Sequence, residues 1–358
     1  MYVVLMAGGV GMRFWPRSRR TIPKHLLNLA GKKSMLRMTF ERVQTLTDPD
    51  KILIITNKLQ KKEIEKQLPE IPNHNIILEP QGRNTAPCIG LASIIIRSRA
   101  KKNEMMVVLP SDHLISRKRE FCDTIRKATL FAQENEYLLT IGIQPTFPET
   151  GFGYIQAGKK LHDKKVKDVF EVKTFAEKPN FETAERFVRS GDFLWNSGMF
   201  IWSVDFILNE IEEYIPELSE QLCRVEQHIG SAKFKVVLDD AYSLIKPISI
   251  DYGLLELSQR VAVIKAKFDW NDLGSWEAVY NISKKDKHGN VVDTKENILI
   301  NARNNYLYSN KKLIAALDVE NLVIVEMDDV LLICKKDMSQ NVKSIVEQLS
   351  RKGMQKFL

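Results

Sequence analysis

Short, uninterrupted apolar runs punctuate the N-terminal half of the chain. Tyr2–Met6 stops at Gly8-Gly9, and Ile52–Thr56, Met106–Leu109 and Leu138–Ile143 have the same texture. Runs of this length bounded by turn residues fit strands buried on both faces of a sheet. Between them apolar positions recur at helical spacing over residues 34–46, 58–68 and 87–100. In the last of these Ile89, Ala92, Ile96 and Ala100 share a face, with Asn84 or Thr85 as the cap. Strands alternating with helices predict an α/β sheet, mainly parallel and covered on both faces. Its binding crevice is expected at the carboxyl ends of the strands.

From about residue 295 the texture changes. Ile298–Ile300, Leu313–Leu317, Leu322–Val325 and Val330–Cys334 follow one another with Asn, Asp and Lys turns between them, which predicts a small all-β unit. Residues 339–352 then carry Val342, Ile345, Val346 and Leu349 at the spacing of an amphipathic closing helix. The turn at 285–290 separates a larger part, 1–288, from a smaller one, 289–358. No long linker intervenes, so the two parts are expected to pack together.

Charge modifies this picture. The 358 residues carry a formal +8, which taken alone points to nucleic acid or an anionic membrane. Residues 1–40, however, hold eight basic side chains (Arg13, Arg17, Arg19, Arg20, Lys24, Lys32, Lys33 and Arg37) and no acidic one, and the remainder is neutral. The excess is local, so a concentrated negative charge is expected to meet the N-terminal segment. No stretch approaches the roughly 20 apolar residues of a membrane span, and the first residues lack the basic start of a secretory signal. Four scattered cysteines (Cys88, Cys122, Cys223, Cys334) read as reduced thiols, and six dispersed histidines form no zinc pattern. A cytoplasmic enzyme or binding protein is expected, with neither nucleic acid nor membrane as partner.

The glycine loop carries the candidate chemistry. Ala7-Gly8-Gly9-Val10-Gly11-Met12-Arg13 follows a predicted strand. The dinucleotide fingerprint fails because its third glycine falls on Phe14, and the GxxxxGK[ST] phosphate loop fails for want of a Lys-Ser or Lys-Thr pair. What remains is glycine where backbone amides approach phosphate oxygens, with Arg13 and, after Pro23, Lys24 as cationic donors. A plain strand–turn–helix connection is the alternative for the glycines alone.

Eight blocks in order carry a resemblance over nearly the whole chain. The loop through Phe14-Trp15-Pro16 with Pro23-Lys24 is followed by Glu79-Pro80-Gln81-Gly82-Arg83-Asn84-Thr85-Ala86-Pro87 and Pro110-Ser111-Asp112-His113. Gly151-Phe152-Gly153-Tyr154-Ile155, Phe175-Ala176-Glu177-Lys178-Pro179, Trp195-Asn196-Ser197-Gly198-Met199-Phe200, Ile250-Asp251-Tyr252 and Asp272-Leu273-Gly274-Ser275-Trp276 complete the set. The chain resembles the nucleoside-diphosphate-sugar pyrophosphorylases, and among them the mannose-1-phosphate guanylyltransferases in their short form.

The resemblance implies a Rossmann-like nucleotidyltransferase domain with a mainly parallel mixed sheet, plus a small β-helix-like C-terminal domain. It implies GTP and mannose 1-phosphate as substrates, GDP-mannose and pyrophosphate as products, and Mg²⁺ as cofactor. Arg13 and Lys24 would meet the phosphates. Ala7, Gly8, Gly9, Gly11, Glu79, Arg83, Asn84, Pro110 and Ser111 would hold the nucleotide. Gly151, Glu177, Lys178 and Asn196 would hold the sugar phosphate, and Asp112 and Asp272 the metal. A homodimer formed with help from the C-terminal unit is a further expectation. Met12, Arg17, His25 and Ala176 depart from the usual pattern without removing a charged ligand. A sister pyrophosphorylase with another sugar 1-phosphate or nucleotide stays open as the alternative. A non-catalytic nucleotide-sugar sensor is disfavoured, because the charged site residues are all present.

Overall fold

A computed structural model describes residues 1–358 apart from Val10, Lys101, Lys164 and Glu177. Nine strands form one sheet: β1 (Tyr2–Met6), β2 (Ile52–Thr56), β3 (Ile76–Leu78), β4 (Met105–Pro110), β5 (Leu138–Ile143), β6 (Tyr154–Lys160), β7 (Val169–Ala176), β8 (Phe193–Ser203) and β9 (Val261–Lys265). Their order is β3-β2-β1-β4-β8-β5-β9-β7-β6. The four strands at the β3 end are mutually parallel, while β8 enters antiparallel between β4 and β5. The sheet is therefore mixed. Nearly every residue of β8 is buried, and such a run reads the same in either direction, so its sense was not legible in the pattern.

Alternation along β1 sends Val3 and Leu5 to one face and Tyr2 and Val4 to the other. Helices Met35–Val43 and Lys118–Asn135 cover the first face, and Thr85–Arg99, Val204–Tyr214, Pro216–Glu226 and Phe234–Leu244 the second. Ser34 caps the first helix through Arg37 N, 3.1 Å away. The predicted helix at 58–68 shortens to Lys61–Gln67 because the Asn57 side chain takes the amides of Leu59 and Gln60 into a turn. In the parallel ladder Met6 lies level with Pro110, so the loops beginning at Ala7 and Ser111 leave the sheet side by side. The Ser111 hydroxyl fixes that pairing by donating to Met6 O at 2.7 Å.

Beyond Val291 the strands pair only among themselves. Val291–Asp293, Tyr306–Ser309 and Leu322–Glu326 are stacked in parallel, with Leu331–Lys335 antiparallel on the last. Asn297–Ile300 and Ile314–Leu317 form a second parallel pair. The first two strands of the stack escaped prediction because they are short and flanked by asparagine. Those asparagines do the stacking: Asn290 Oδ1 accepts from Asn305 N at 3.0 Å, and Asn305 Oδ1 accepts from Leu322 N at 2.9 Å. The closing helix runs Val342–Arg351, preceded by a tight turn at Lys336–Asn341.

A third core joins the two parts. Phe14, Trp276 and Tyr306 form a chain of rings with successive centroids 5.2 Å apart, packed with Val323, Val325 and Val342. The basic N-terminal segment is largely consumed here. Arg17 is buried, lies 4.1 Å over the Tyr308 ring and donates to Asn28 Oδ1. Arg19 pairs with Asp329 at 2.8 Å and also donates to the carbonyl of Phe357. Lys33 and Arg37 pair with Glu41, and Arg37 also with Glu70. Part of the charge excess thus serves partners within the protein: Arg17, Arg19, Lys33 and Arg37 are all engaged there. Among the described residues, no helix is long and apolar enough to cross a membrane.

Arg17→Ala is expected to destabilise the protein by about 2 kcal/mol through loss of the stacked, hydrogen-bonded guanidinium. Hydrogen exchange should then quicken first in Tyr306–Ser309 and Leu322–Glu326. Unchanged exchange there would rule out a docking role for Arg17.

Candidate active site

Gly11 determines how the loop closes. It sits at φ 64°, and a Cβ there would lie 2.5 Å from Lys24 Cβ and 2.7 Å from the Lys24 backbone nitrogen. Only glycine lets the Pro23-Lys24 segment pass this close at this backbone angle. Lys24 is thereby buried beneath the loop, and its Nζ reaches Asp112 Oδ2 at 2.8 Å and the backbone carbonyl of Asp272. Asp112 follows β4, and Asp272 follows the turn after β9. A two-way backbone pairing of Leu114 with Asn271, at 2.9 and 3.0 Å, stitches these two loops together.

The electrostatics follow from this closeness. Burial alone would raise the Asp112 carboxyl, but Lys24, then His113 and His25, outweigh it and hold the group below the usual carboxylate range. Asp272 is pushed up, first by burial and then by the charges of Asp112 and Glu149, against the opposing pull of Lys24 and Arg13. Burial brings both His25 and His113 down to about 4, so both rings are neutral near pH 7. Trp270 Nε1 donates to His113 Nδ1 at 3.1 Å, which leaves the ring proton on Nε2, 4.0 Å from Asp112 Oδ1.

Two cavities meet at these residues. One, of about 470 Å³, is lined by Gly11, Arg13, Lys24, Asp112 and Asp272. The other, of about 410 Å³, has aromatic walls from Phe147, Phe152, Trp195 and Trp270, with Glu149 and Gly151 on its edge. Arg13, Asp272 and Gly274 line both. Phe152 lies between Trp195 and Trp270 at centroid distances of 5.3 and 5.2 Å, so each ring buttresses the next. Among the described residues no three His, Cys, Asp or Glu side chains form a metal cluster; the converging acidic donors are Asp112 and Asp272.

The predicted residues fall into three groups. Gly11, Arg13, Lys24, Asp112, Asp272 and Gly151 line the cavities. Ala7, Gly8, Gly9, Pro110 and Ser111 occupy the adjoining strand ends, and buried Glu79 faces Gly8, whose Cβ position is 3.5 Å from Glu79 Oε2. Of the others, Arg83, Asn84 and Asn196 make hydrogen bonds within the fold. Arg83 donates to the carbonyls of Tyr242 and Ser243, and Asn84 caps the following helix. Asn196 donates to Asp251 at 2.6 Å and accepts from Gly198 N at 3.1 Å. Lys178, at φ 47°, closes the turn after β7, and Glu177 lies outside the described residues.

Sequence reasoning missed Glu149, whose carboxylate accepts from Gly151 N at 2.8 Å, and Tyr242, whose hydroxyl donates to Glu79 at 3.0 Å. It also missed the C-terminal residues Gln340, Lys343 and Glu347, which line the cavities. Only Glu149 left a signal, as the acid of the Pro-Glu-Thr-Gly turn just before a quoted block.

Residues 2–289 match the family model described as nucleotidyl transferase, and 295–349 the one described as mannoseP isomerase/GMP-like β-helix domain. A mannose-1-phosphate guanylyltransferase of Escherichia coli is 38% identical over 354 residues, covering 98% of this chain and 76% of its own. A mannose-1-phosphate guanylyltransferase of Klebsiella pneumoniae is 38% identical over 351 residues, covering 97% and 74%. A solved structure described as mannose-1-phosphate geranyltransferase from Thermus thermophilus is similar with a TM-score of 0.86 at 29% identity. It covers 98% of this chain and 99% of its own.

Two stability measurements check the local geometry. Gly11→Ala should cost about 2 kcal/mol, whereas Gly9→Ala, with open space around its Cβ position, should be close to neutral. Equal melting temperatures for the two would contradict the close passage of Lys24. Burial pushes Glu79 up to about 7, against the hydrogen bond from Tyr242. Its stabilising effect is therefore complete below its ordinary value and lost as pH rises through 7. Glu79→Gln should match the parent near pH 4 and exceed it near pH 8 by about 3 kcal/mol. Parallel stability curves over that range would exclude the buried carboxyl as the cause.

Proposed function

The chain belongs to the nucleotidyl transferase family, and from that premise we propose that it transfers GMP from GTP to mannose 1-phosphate, giving GDP-mannose and pyrophosphate. The observation that carries this reading is the pair of cavities sharing Arg13, Asp272 and Gly274, one flanked by phosphate-type donors and one by aromatic walls. A nucleoside triphosphate suits the first cavity and a sugar the second, and the shared residues then flank the phosphorus that changes hands.

The sugar phosphate is already an anion, so in-line attack on the α-phosphorus needs no base and no Ser or Cys nucleophile. The obstacle is bringing two anions together, and positioning with charge neutralisation removes it. Arg13 and the amides of Gly8, Gly9 and Gly11 bind the triphosphate. Lys24 leaves its carboxylate partner for the phosphate oxygens as the substrates enter. Glu79 in its ionised form accepts from guanine N1 and N2. Glu177, Lys178, Asn196 and the Gly151 amide hold the sugar phosphate once Gly151 N leaves Glu149 and Asn196 leaves Asp251, with the rings of Trp195 and Trp270 beside the sugar.

The donor set suits a divalent ion. The Asp112 and Asp272 side chains line one cavity and feel each other's charge, and a cation is already held there, since the Lys24 ammonium lies on the Asp112 carboxylate and on the backbone carbonyl of Asp272. Burial and then the Asp112 charge push the Asp272 carboxyl up, a repulsion that a divalent ion relieves. Asp112 and Asp272 would hold Mg²⁺, which takes one or two carboxylates together with substrate phosphates. When bound it neutralises charge at the α-phosphate. Cys88, Cys122, Cys223 and Cys334 are all unpaired thiols, in keeping with a cytoplasmic setting.

Pyrophosphate release should be fastest with GTP and mannose 1-phosphate among GTP, ATP, dTTP and a panel of sugar 1-phosphates. It should stop when EDTA removes the metal and resume with Mg²⁺. Asp112→Asn and Asp272→Asn should each lower kcat at least about 100-fold. No pyrophosphate from that substrate pair with Mg²⁺ present would refute the assignment. A higher kcat/KM for another pair would make the chain a sister pyrophosphorylase.

A further inference from the structure

The C-terminal unit reaches into the cleft. Its helix Val342–Arg351 packs on the Met12–Phe14 turn through Val342, with Val346 and Leu349 against the same core. The turn before it is anchored where Glu277 N donates to the buried Ser339 hydroxyl at 3.2 Å. Lys343 and Glu347, four residues apart on the helix, share one face, and Gln340 ends the turn just before it. That face is turned to the cavities: Gln340 lines the aromatic one, and Lys343 and Glu347 line the one that holds Arg13 and Lys24.

The charges there are unequally committed. Lys24 is bound to Asp112 and to the Asp272 carbonyl. Among the described residues no carboxylate pairs with Arg13 or with Lys343. Two ammonium or guanidinium groups thus remain in this cavity for an incoming anion. Glu347 also lines a separate cavity of about 260 Å³ bordered by Met12, Trp15 and Arg19.

We propose that Lys343, supplied by the C-terminal unit, is a direct ligand of the triphosphate on the side that departs as pyrophosphate, completing a clamp whose other arm is Arg13. This rests on the functional reading above and adds a binding residue outside the glycine loop. The loop turn Met12–Phe14 presents Arg13 on one side of the cavity, and the helix packed on that same turn presents Lys343, so a β,γ-diphosphate between them meets a cation from each part of the protein. The docking of the C-terminal unit is then a condition of tight nucleotide binding, not only of stability.

The experiment compares the full-length protein with Lys343→Ala, Lys343→Arg and, as a control on an exposed lysine that lines neither cavity, Lys335→Ala. Calorimetric titration with inorganic pyrophosphate and steady-state kinetics with GTP and mannose 1-phosphate are measured, with thermal melting to check folding. Lys343→Ala should weaken pyrophosphate binding and raise the KM for GTP about 10-fold, the value of one charge-assisted contact, with the KM for mannose 1-phosphate changed less than about twofold. Lys343→Arg should restore most of the loss, and Lys335→Ala should behave as the parent. Unchanged pyrophosphate binding in Lys343→Ala, or an equal rise in both KM values, would overturn the inference. Failure of the parent protein to turn over GTP with mannose 1-phosphate would instead overturn the functional reading, while the pyrophosphate titration still tests Lys343 on its own.

Discussion

A buried ammonium, that of Lys24, connects three segments that lie far apart in the chain. It lies beneath Gly11 of the loop after β1, on the Asp112 carboxylate of the loop after β4, and on the Asp272 carbonyl of the loop after β9. Each of these segments contributes a feature that fits the ammonium: a glycine that leaves it room, a carboxylate and a carbonyl. Asp112 stays ionised because Lys24 is there; Gly11 accepts its left-handed angle because Lys24 must pass; Asp272 is held near a second carboxylate by the same contact. The contact is the expected resting state of a site made to receive a more highly charged guest. An ammonium can serve as counter-ion to a carboxylate and then exchange that role for phosphate, because its three donors are not tied to a planar geometry.

The basic N-terminal segment has two functions separated by only a few residues. Arg13 and Lys24 face the cavities, while Arg17 and Arg19 between them point to the C-terminal unit. The departure of Arg17 from the family pattern is explained by this: its guanidinium fills the seam between the parts, where Tyr308 offers a ring and Asn28 an acceptor. Glycine loop and domain contact are thus properties of one continuous stretch, and neither can shift without the other.

The parallel half of the sheet, the glycine loop and the acidic strand ends were legible in the sequence because each depends on local signals: an apolar run, a turn residue, a carboxylate directly after a strand. Ile52–Thr56 and Leu138–Ile143 have the bounds read from the pattern. The direction of β8 was hidden because a strand buried on both faces has no periodicity to read. Lys343 was hidden for a different reason. An exposed lysine on a short helix looks solvated until tertiary packing turns that face toward another part of the chain, and no local pattern encodes the approach. Arg83 and Asn84 illustrate the reverse case. They stand in a highly characteristic block, yet their side chains are occupied by the carbonyls of Tyr242 and Ser243 and by a helix cap.

The asparagine stack of the C-terminal unit restricts how such a protein can grow. Asn290 donates to Ala302 O and accepts from Asn305 N, and one coil later Asn305 donates to Val319 O and accepts from Leu322 N. Each coil is thereby read by a side chain of the coil before it, at fixed backbone positions. An insertion of a few residues would leave a buried amide facing the wrong group, whereas a complete extra turn carrying its own asparagine would extend the same pattern. Lineages with this unit should accordingly differ in length by whole coils and only rarely by fractions of one.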